Sequence, residues 1–114
     1  MSFISFCIIY IEPTGLKVVT TSQNSITVSW DQLSSVSGYK IRYAKSNSND
    51  QKYMTVSSDQ REVEITELKK NTAYNIQVAG IYFVDGNEKD GPYSNNVEGR
   101  TLSHKYGMTI SLLY

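Results

Sequence analysis

Residues 26–30 read Ile-Thr-Val-Ser-Trp, and residues 39–43 read Tyr-Lys-Ile-Arg-Tyr. In both runs a large apolar or aromatic residue stands at every second position, with a polar residue between. Successive side chains of a β-strand point to opposite faces, so each run predicts a strand with one buried and one solvated face. Residues 34–38, Ser-Ser-Val-Ser-Gly, predict the loop that joins the two strands.

The same period of two continues on both sides of these runs, between Pro13 and Leu102. Further strands are predicted at residues 16–18, 53–56, 63–65, 74–80 and 96–101. A helical stripe is absent from every stretch of ten residues. Seven short strands over about 90 residues predict an all-β fold, a seven-stranded, two-sheet antiparallel sandwich of the immunoglobulin-like kind.

Five sequence pieces, in this order and spacing, give the middle of the chain a family resemblance. They are Pro13-x-x-Leu16, residues 26–30, residues 38–43, Leu68-x-x-x-Thr72-x-Tyr74, and the run Gly-Pro-Tyr-Ser at 91–94. Together they resemble a fibronectin type III domain over residues 13–102. The resemblance implies a tyrosine corner, in which the Tyr74 hydroxyl bonds to a backbone group a few residues upstream. The implied structural core consists of Trp30, Tyr39, Ile41, Leu68, Tyr74, Ile76 and Val78.

Composition limits the range of functions. The 114 residues carry 11 Lys and Arg against 11 Asp and Glu, so the formal net charge is zero. A nucleic-acid-binding protein normally needs a basic excess, and nucleic acid is therefore not expected as a partner. The single cysteine, Cys7, excludes an intrachain disulfide and a thiolate metal site.

The two ends differ from the middle. Residues 1–12 are mostly apolar but too short for a membrane-spanning helix. They fit either a signal-peptide core, although the positively charged start is missing, or an extra strand or fragment end. Residues 103–114 follow the last predicted strand, and we expect a loosely held tail.

Catalysis is not expected. A nucleophile needs an adjacent base, and the only histidine, His104, lies in the tail. Glu62 and Glu64 share a strand face, which favours a solvated surface over a carboxylate pair. Residues 85–91, Asp-Gly-Asn-Glu-Lys-Asp-Gly, lack the glycine that the sixth place of an EF-hand loop requires. We therefore predict a protein that is not an enzyme, with no catalytic, cofactor or metal residues.

Binding in such sandwiches usually involves loops and exposed sheet faces. The adhesive Arg-Gly-Asp of some fibronectin type III domains is absent from this sequence. We predict a partner-binding loop at 85–91, rimmed by aromatic side chains. Its candidate residues are Asp85, Asn87, Lys89, Tyr82, Phe83 and Tyr93. The aromatic residues among them could equally cover the end of the core.

A second candidate surface is basic. Lys40, Arg42, Lys45 and Lys52 lie on or beside the third predicted strand and would contact a polyanion weakly if they cluster. The alternative is an ordinary charged sheet face. The resemblance implies a non-catalytic protein-interaction or spacer module of an adhesion or receptor protein, extracellular or at the cell surface, and monomeric as an isolated domain. The alternative is a spacer or accessory domain attached to an enzyme, with no ligand of its own.

Overall fold

A computed structural model describes residues 10–103, and their regular structure consists of β-strands. The strands are β1 (Lys17–Thr21), β2 (Ile26–Ser29), β3 (Gly38–Lys45), β4 (Lys52–Ser57), β5 (Glu62–Ile65), β6 (Ala73–Val84), β7 (Asn87–Tyr93) and β8 (Val97–Arg100). The predicted tail beyond Ser103 and most of the apolar N-terminal segment lie outside the described residues. No helix between residues 10 and 103 has the length and apolar character needed to cross a lipid bilayer.

The strands form two antiparallel sheets. The smaller sheet has the order β1-β2-β5. The larger sheet has the order β4-β3-β6-β7, and β8 pairs with the first part of β6. The all-β, two-sheet antiparallel prediction is confirmed.

The strand count is eight rather than the seven predicted, because the long β6 has two successive partners. β7 pairs with residues 79–84 of β6 and β8 with residues 73–76. Ser94 lies at the break between them. Its N–H donates to the Val78 carbonyl at 2.8 Å, and its hydroxyl accepts from the Val78 N–H at 3.0 Å. A side chain therefore satisfies the β6 backbone where the ladder is interrupted.

The loop predicted at residues 85–91 is a β-hairpin instead. Only Asp85 and Gly86 form the turn, with φ angles of 53° and 81°, and Val84 pairs with Asn87 across it. Two successive positive φ angles in a two-residue loop are those of a type I′ turn, which matches the twist of the flanking strands. Residues 87–91 were misassigned as loop because their polar sequence lacks alternation, whereas pairing with β6 makes them a strand.

The core lies between the two sheets and contains the residues that alternate along the strands. Its ten buried members form one cluster, which includes all seven residues predicted for the core. The Trp30 ring packs on the Tyr39 ring with centroids 5.2 Å apart. The Trp30 side chain is 3% exposed, and its indole N–H makes no hydrogen bond to residues 10–103.

The tyrosine corner closes one end of the sandwich. The Tyr74 hydroxyl accepts a hydrogen bond from the Lys69 N–H at 2.9 Å, five residues upstream. Thr101, almost fully buried, supports the same loop. Its hydroxyl donates to the Lys69 carbonyl at 2.6 Å and accepts from the Thr72 N–H at 3.0 Å. Two side-chain hydroxyls, Tyr74 from β6 and Thr101 from the segment after β8, thus fix the crossover between the sheets.

Candidate binding surface

The tip of the β6–β7 hairpin projects polar side chains and one aromatic ring into solvent. Asp85, Asn87 and Lys89 are exposed. Phe83 is 64% exposed, the largest value among the exposed large apolar side chains of the described residues. The type I′ turn holds these side chains on a short, well-defined hairpin instead of a long loop.

Tyr82 does not belong to this exposed tip. Its side chain is 7% exposed and packs edge-to-face on the Tyr10 ring, with centroids 4.9 Å apart. Its hydroxyl accepts from the Ile11 N–H at 3.1 Å and donates to the Ile11 carbonyl at 3.2 Å. A Cβ added at Gly91 would lie only 2.8 Å from the Tyr82 ring, so this glycine makes room for it. Tyr82 therefore covers the end of the core and is not part of an exposed binding surface.

The outer face of the larger sheet, which points away from the smaller sheet, carries Arg42, Gln77 and Tyr93. Arg42 and Gln77 are cross-strand partners. The Arg42 guanidinium lies over the Tyr93 ring, with its carbon 3.8 Å from the ring centroid. Its Nε and Nη2 atoms donate to the Gln77 Oε1 at 3.2 and 2.6 Å. Arginine suits this arrangement because its planar group can stack and bond through its edge at once.

Lys40 lies on the same outer face, two residues before Arg42 on β3. Its Nζ is 2.7 Å from the Asp90 carboxylate of β7 and 5.8 Å from the centroid of the Tyr53 ring. The hydrogen bond to Asp90 raises the pKa of Lys40 above its ordinary value. Burial raises the pKa of Tyr93, against the opposing effect of the Arg42 charge. On this part of the outer face, Asp90 neutralises Lys40, whereas Arg42 has no carboxylate partner among residues 10–103.

The four residues predicted as a basic patch do not come together. Lys40 and Arg42 have the outward parity of β3, whereas Lys45 has the parity of the core residues Tyr39 and Ile41. Lys52 pairs with Tyr43 and shares that second parity. The alternation of β3 and β4 therefore divides the four charges between two sides of the sheet.

Lys45 and Lys52 instead line an open cleft of about 440 Å³ at the tyrosine-corner end. Asp50, Glu67 and Lys69 also line it, together with the rings of Tyr43 and Tyr74. The mixed charges of the cleft, and the 3.8 Å pair between Lys52 and Asp50, do not form a concentrated anion site. Among the described residues, no three His, Cys, Asp or Glu side chains are grouped as metal ligands.

Two residues of the outer face were missed from the sequence. Gln77 and Asp90 gave no separate signal, because their partners Arg42 and Lys40 lie 35 and 50 residues away along the chain. Once the pairing of β3 with β6 is known, Gln77 is recognisable as the residue directly beside Arg42. Strand register is the information that single-sequence alternation lacks.

The fold agrees with comparison to known proteins. The family model of the fibronectin type III domain matches residues 12–100. The chain belongs to the fibronectin type III family, and the resemblance seen in the sequence is confirmed.

Three curated relatives match parts of the chain. The collagen alpha-1(XII) chain of Oryctolagus cuniculus is 35% identical over 72 residues, which is 61% of this chain and 11% of the relative. Mouse (Mus musculus) protein sidekick-1 is 30% identical over 101 residues, covering 80% of this chain and 4% of its own length. Mouse protein sidekick-2 is 26% identical over 111 residues, covering 90% and 5%. The chain therefore spans about a tenth or less of these relatives.

Two solved structures share the fold. The FN1-FN3 domains of chicken CNTN1 superpose with a TM-score of 0.71 at 29% identity, over 81% of this chain and 31% of that one. A structure described as a myokine gives a TM-score of 0.66 at 24% identity, over 79% and 95%. The second likeness concerns the fold alone.

Proposed function

We propose that this chain is a non-catalytic protein-interaction module, and that the tip of the β6–β7 hairpin contacts its protein partner. The observation that carries the proposal is Phe83, a large apolar ring 64% exposed beside a rigid two-residue turn. A partner that covers this ring removes a large apolar area from water, and aromatic side chains are enriched among the residues that dominate binding energy.

The polar tip residues lie at or near the turn. Asp85, Asn87 and Lys89 are exposed, but Asn87 and Lys89 pair with Val84 and Tyr82 and so lie on the hairpin face opposite Phe83. A partner centred on Phe83 would have to wrap around the tip to bond to them. The matching collagen and sidekick relatives support a place outside the cell or at its surface. The absence of a grouped nucleophile and base in the sequence supports a module without catalysis of its own.

The test displays the whole chain as a multivalent fusion and screens it against a panel of recombinant extracellular domains, with the chain itself included. Multivalency makes weak single contacts detectable. We expect a specific partner whose binding is lost in Phe83→Ser and weakened about tenfold in the triple variant Asp85→Ala, Asn87→Ala, Lys89→Ala. Glu62→Ala, on the smaller sheet, is the matched control and should leave binding unchanged.

Two outcomes would contradict the proposal. Binding that survives both hairpin variants would move the contact surface elsewhere on the domain. A panel that yields no partner at all would favour the spacer or enzyme-accessory alternative. Urea unfolding of each variant confirms that any loss of binding is not a loss of fold.

A further inference from the structure

Arg42 is held in one position on the outer face before any partner arrives. The Tyr93 ring supports the flat side of its guanidinium at 3.8 Å, and the Gln77 side chain bonds to its Nε and Nη2 atoms. An exposed arginine normally loses considerable rotamer freedom when it binds. Here that freedom is already restricted, which lowers the entropic cost of using Arg42 in a contact.

The charge of Arg42 is not neutralised within the described domain. Its bonding partner Gln77 is a neutral amide, and no carboxylate of residues 10–103 lies within 4.0 Å of its guanidinium. Lys40, two residues away on the same face, shows the contrast because Asp90 neutralises it at 2.7 Å. The Nη1 atom of Arg42 makes no hydrogen bond to any described residue, so donors remain for an outside ligand.

The surroundings of Arg42 suit a protein contact. Tyr53 lies directly across from Arg42 on β4 and is 55% exposed. Tyr93 is half-buried on the other side, beneath the guanidinium. Tyrosine and arginine are the residue types that most often dominate protein interfaces, since they bury a large area for a small loss of entropy.

We propose that Arg42, between Tyr53 and Tyr93, is a second contact site that binds an Asp or Glu side chain of a protein partner. A carboxylate is the acceptor that matches the free edge of a guanidinium, through charge-assisted hydrogen bonds. A polyanion fits less well. Lys45 and Lys52 lie on the opposite parity, and the Asp90 carboxylate beside Lys40 would repel further negative groups.

This site does not depend on the hairpin proposal. Arg42 and Tyr53 are on β3 and β4, whereas Phe83 and the type I′ turn lie at the far end of β6. A partner could use either surface or both. The two proposals therefore need separate variants.

The test selects peptides on the intact chain from two display libraries that differ at one fixed central residue, Glu in one and Gln in the other. We expect the Glu library to yield the stronger binders. A synthetic peptide from that library then serves as the probe. Replacing its central Glu by Gln should weaken binding about tenfold or more, and Arg42→Gln in the chain should weaken it equally.

A double-mutant cycle gives the specific readout. If the peptide Glu contacts Arg42, the loss from both changes together should be close to the loss from either alone. Arg42→Lys keeps the charge but lacks the planar fork, and it should recover only part of the affinity. Arg61→Gln removes an exposed arginine outside the larger sheet as the control and should change affinity less than twofold.

Several results would overturn the inference. They are a Glu library no better than the Gln library, additive effects in the cycle, or equal losses from Arg42→Gln and Arg61→Gln. Heparin fragments that bind the chain and lose affinity in Arg42→Gln would assign the site to a polyanion. Phe83→Ser should leave peptide binding intact, which separates failure of this site from failure of the hairpin proposal. Unchanged urea midpoints exclude misfolding of the variants.

Discussion

Two tyrosines near opposite ends of β6 close the sandwich in different ways. Tyr74 and Tyr82 are both buried, at 5% and 7% exposure, and both use their hydroxyl to bond backbone. Tyr74 reaches the Lys69 N–H only five residues upstream. Tyr82 reaches the Ile11 backbone, 71 residues away. The Tyr74 closure is local and belongs to a family motif. The Tyr82 closure forms only when the segment at Ile11 packs against β6.

Two tyrosine hydroxyls that both bond to backbone can therefore contribute unequally to the stability of the fold. The Lys69 amide lies in a loop that Thr101 and Tyr74 hold together, so losing its bond affects the crossover between the sheets. Ile11 precedes the first strand and belongs to neither sheet, so losing the Tyr82 bond does not affect the crossover. We therefore expect the corner to contribute more to stability than the distal closure.

The largest effect should come from Tyr74→Phe. Loss of the hydroxyl leaves the partly buried Lys69 N–H without its acceptor, and we expect the free energy of unfolding to fall by about 1–2 kcal/mol with the fold intact. Urea unfolding of the parent and the variant measures the change. Equal midpoints would show that the corner hydrogen bond adds nothing to stability.

Tyr82→Phe should cost less, about 0.5–1 kcal/mol, because the ring stays packed on Tyr10 and Ile11 lies outside both sheets. Ile11→Pro removes the N–H that donates to the hydroxyl. A double-mutant cycle should show coupling between Ile11→Pro and Tyr82→Phe, and none between Ile11→Pro and Tyr74→Phe. A loss from Tyr82→Phe as large as that from Tyr74→Phe would remove the distinction between the two closures.

The smallest effect on stability should come from the ion pair between Lys40 on β3 and Asp90 on β7. The bond to Asp90 raises the pKa of Lys40 above its ordinary 10.5. Its stabilising contribution is therefore complete below pH 10.5 and is lost as pH rises through the higher folded value. For a pair this exposed we expect only a few tenths of a kcal/mol.

The comparison uses Lys40→Met, which keeps the apolar stem and removes the charge. Between pH 9 and pH 11.5, urea midpoints of the parent should fall slightly more than those of Lys40→Met. A pH dependence shared by the parent and Lys40→Met would mean that the ion pair does not contribute.

Alternation alone was sufficient to predict much of the fold. Ile26, Val28 and Trp30 face the core because every second residue of a strand points the same way, and this pattern is visible without any partner strand. The polar run Asn87–Tyr93 has no such pattern and becomes a strand only by pairing with β6. Here tertiary pairing overrides local propensity.

The candidate surfaces were less predictable for a related reason. Phe83 lies beside the Asp-Gly turn, but the sequence left open whether its ring is exposed or covers the core, and the structure shows it exposed. The burial of Tyr82 depends on Tyr10 and Ile11, and the fixed position of Arg42 depends on Gln77 and Tyr93. Contacts of this kind are set by register and chain path, which alternation in one sequence does not reveal.

The buried Trp30 also provides an optical probe of the domain. It is the only tryptophan of the chain, lies in the core, and has an indole N–H that is not hydrogen-bonded to residues 10–103. An indole in such apolar surroundings emits at shorter wavelength than one in water. Its emission should move to longer wavelength when the two sheets separate, and tyrosine excitation should reach it efficiently only in the folded state. Every stability comparison above can therefore be followed by intrinsic fluorescence without attaching a label.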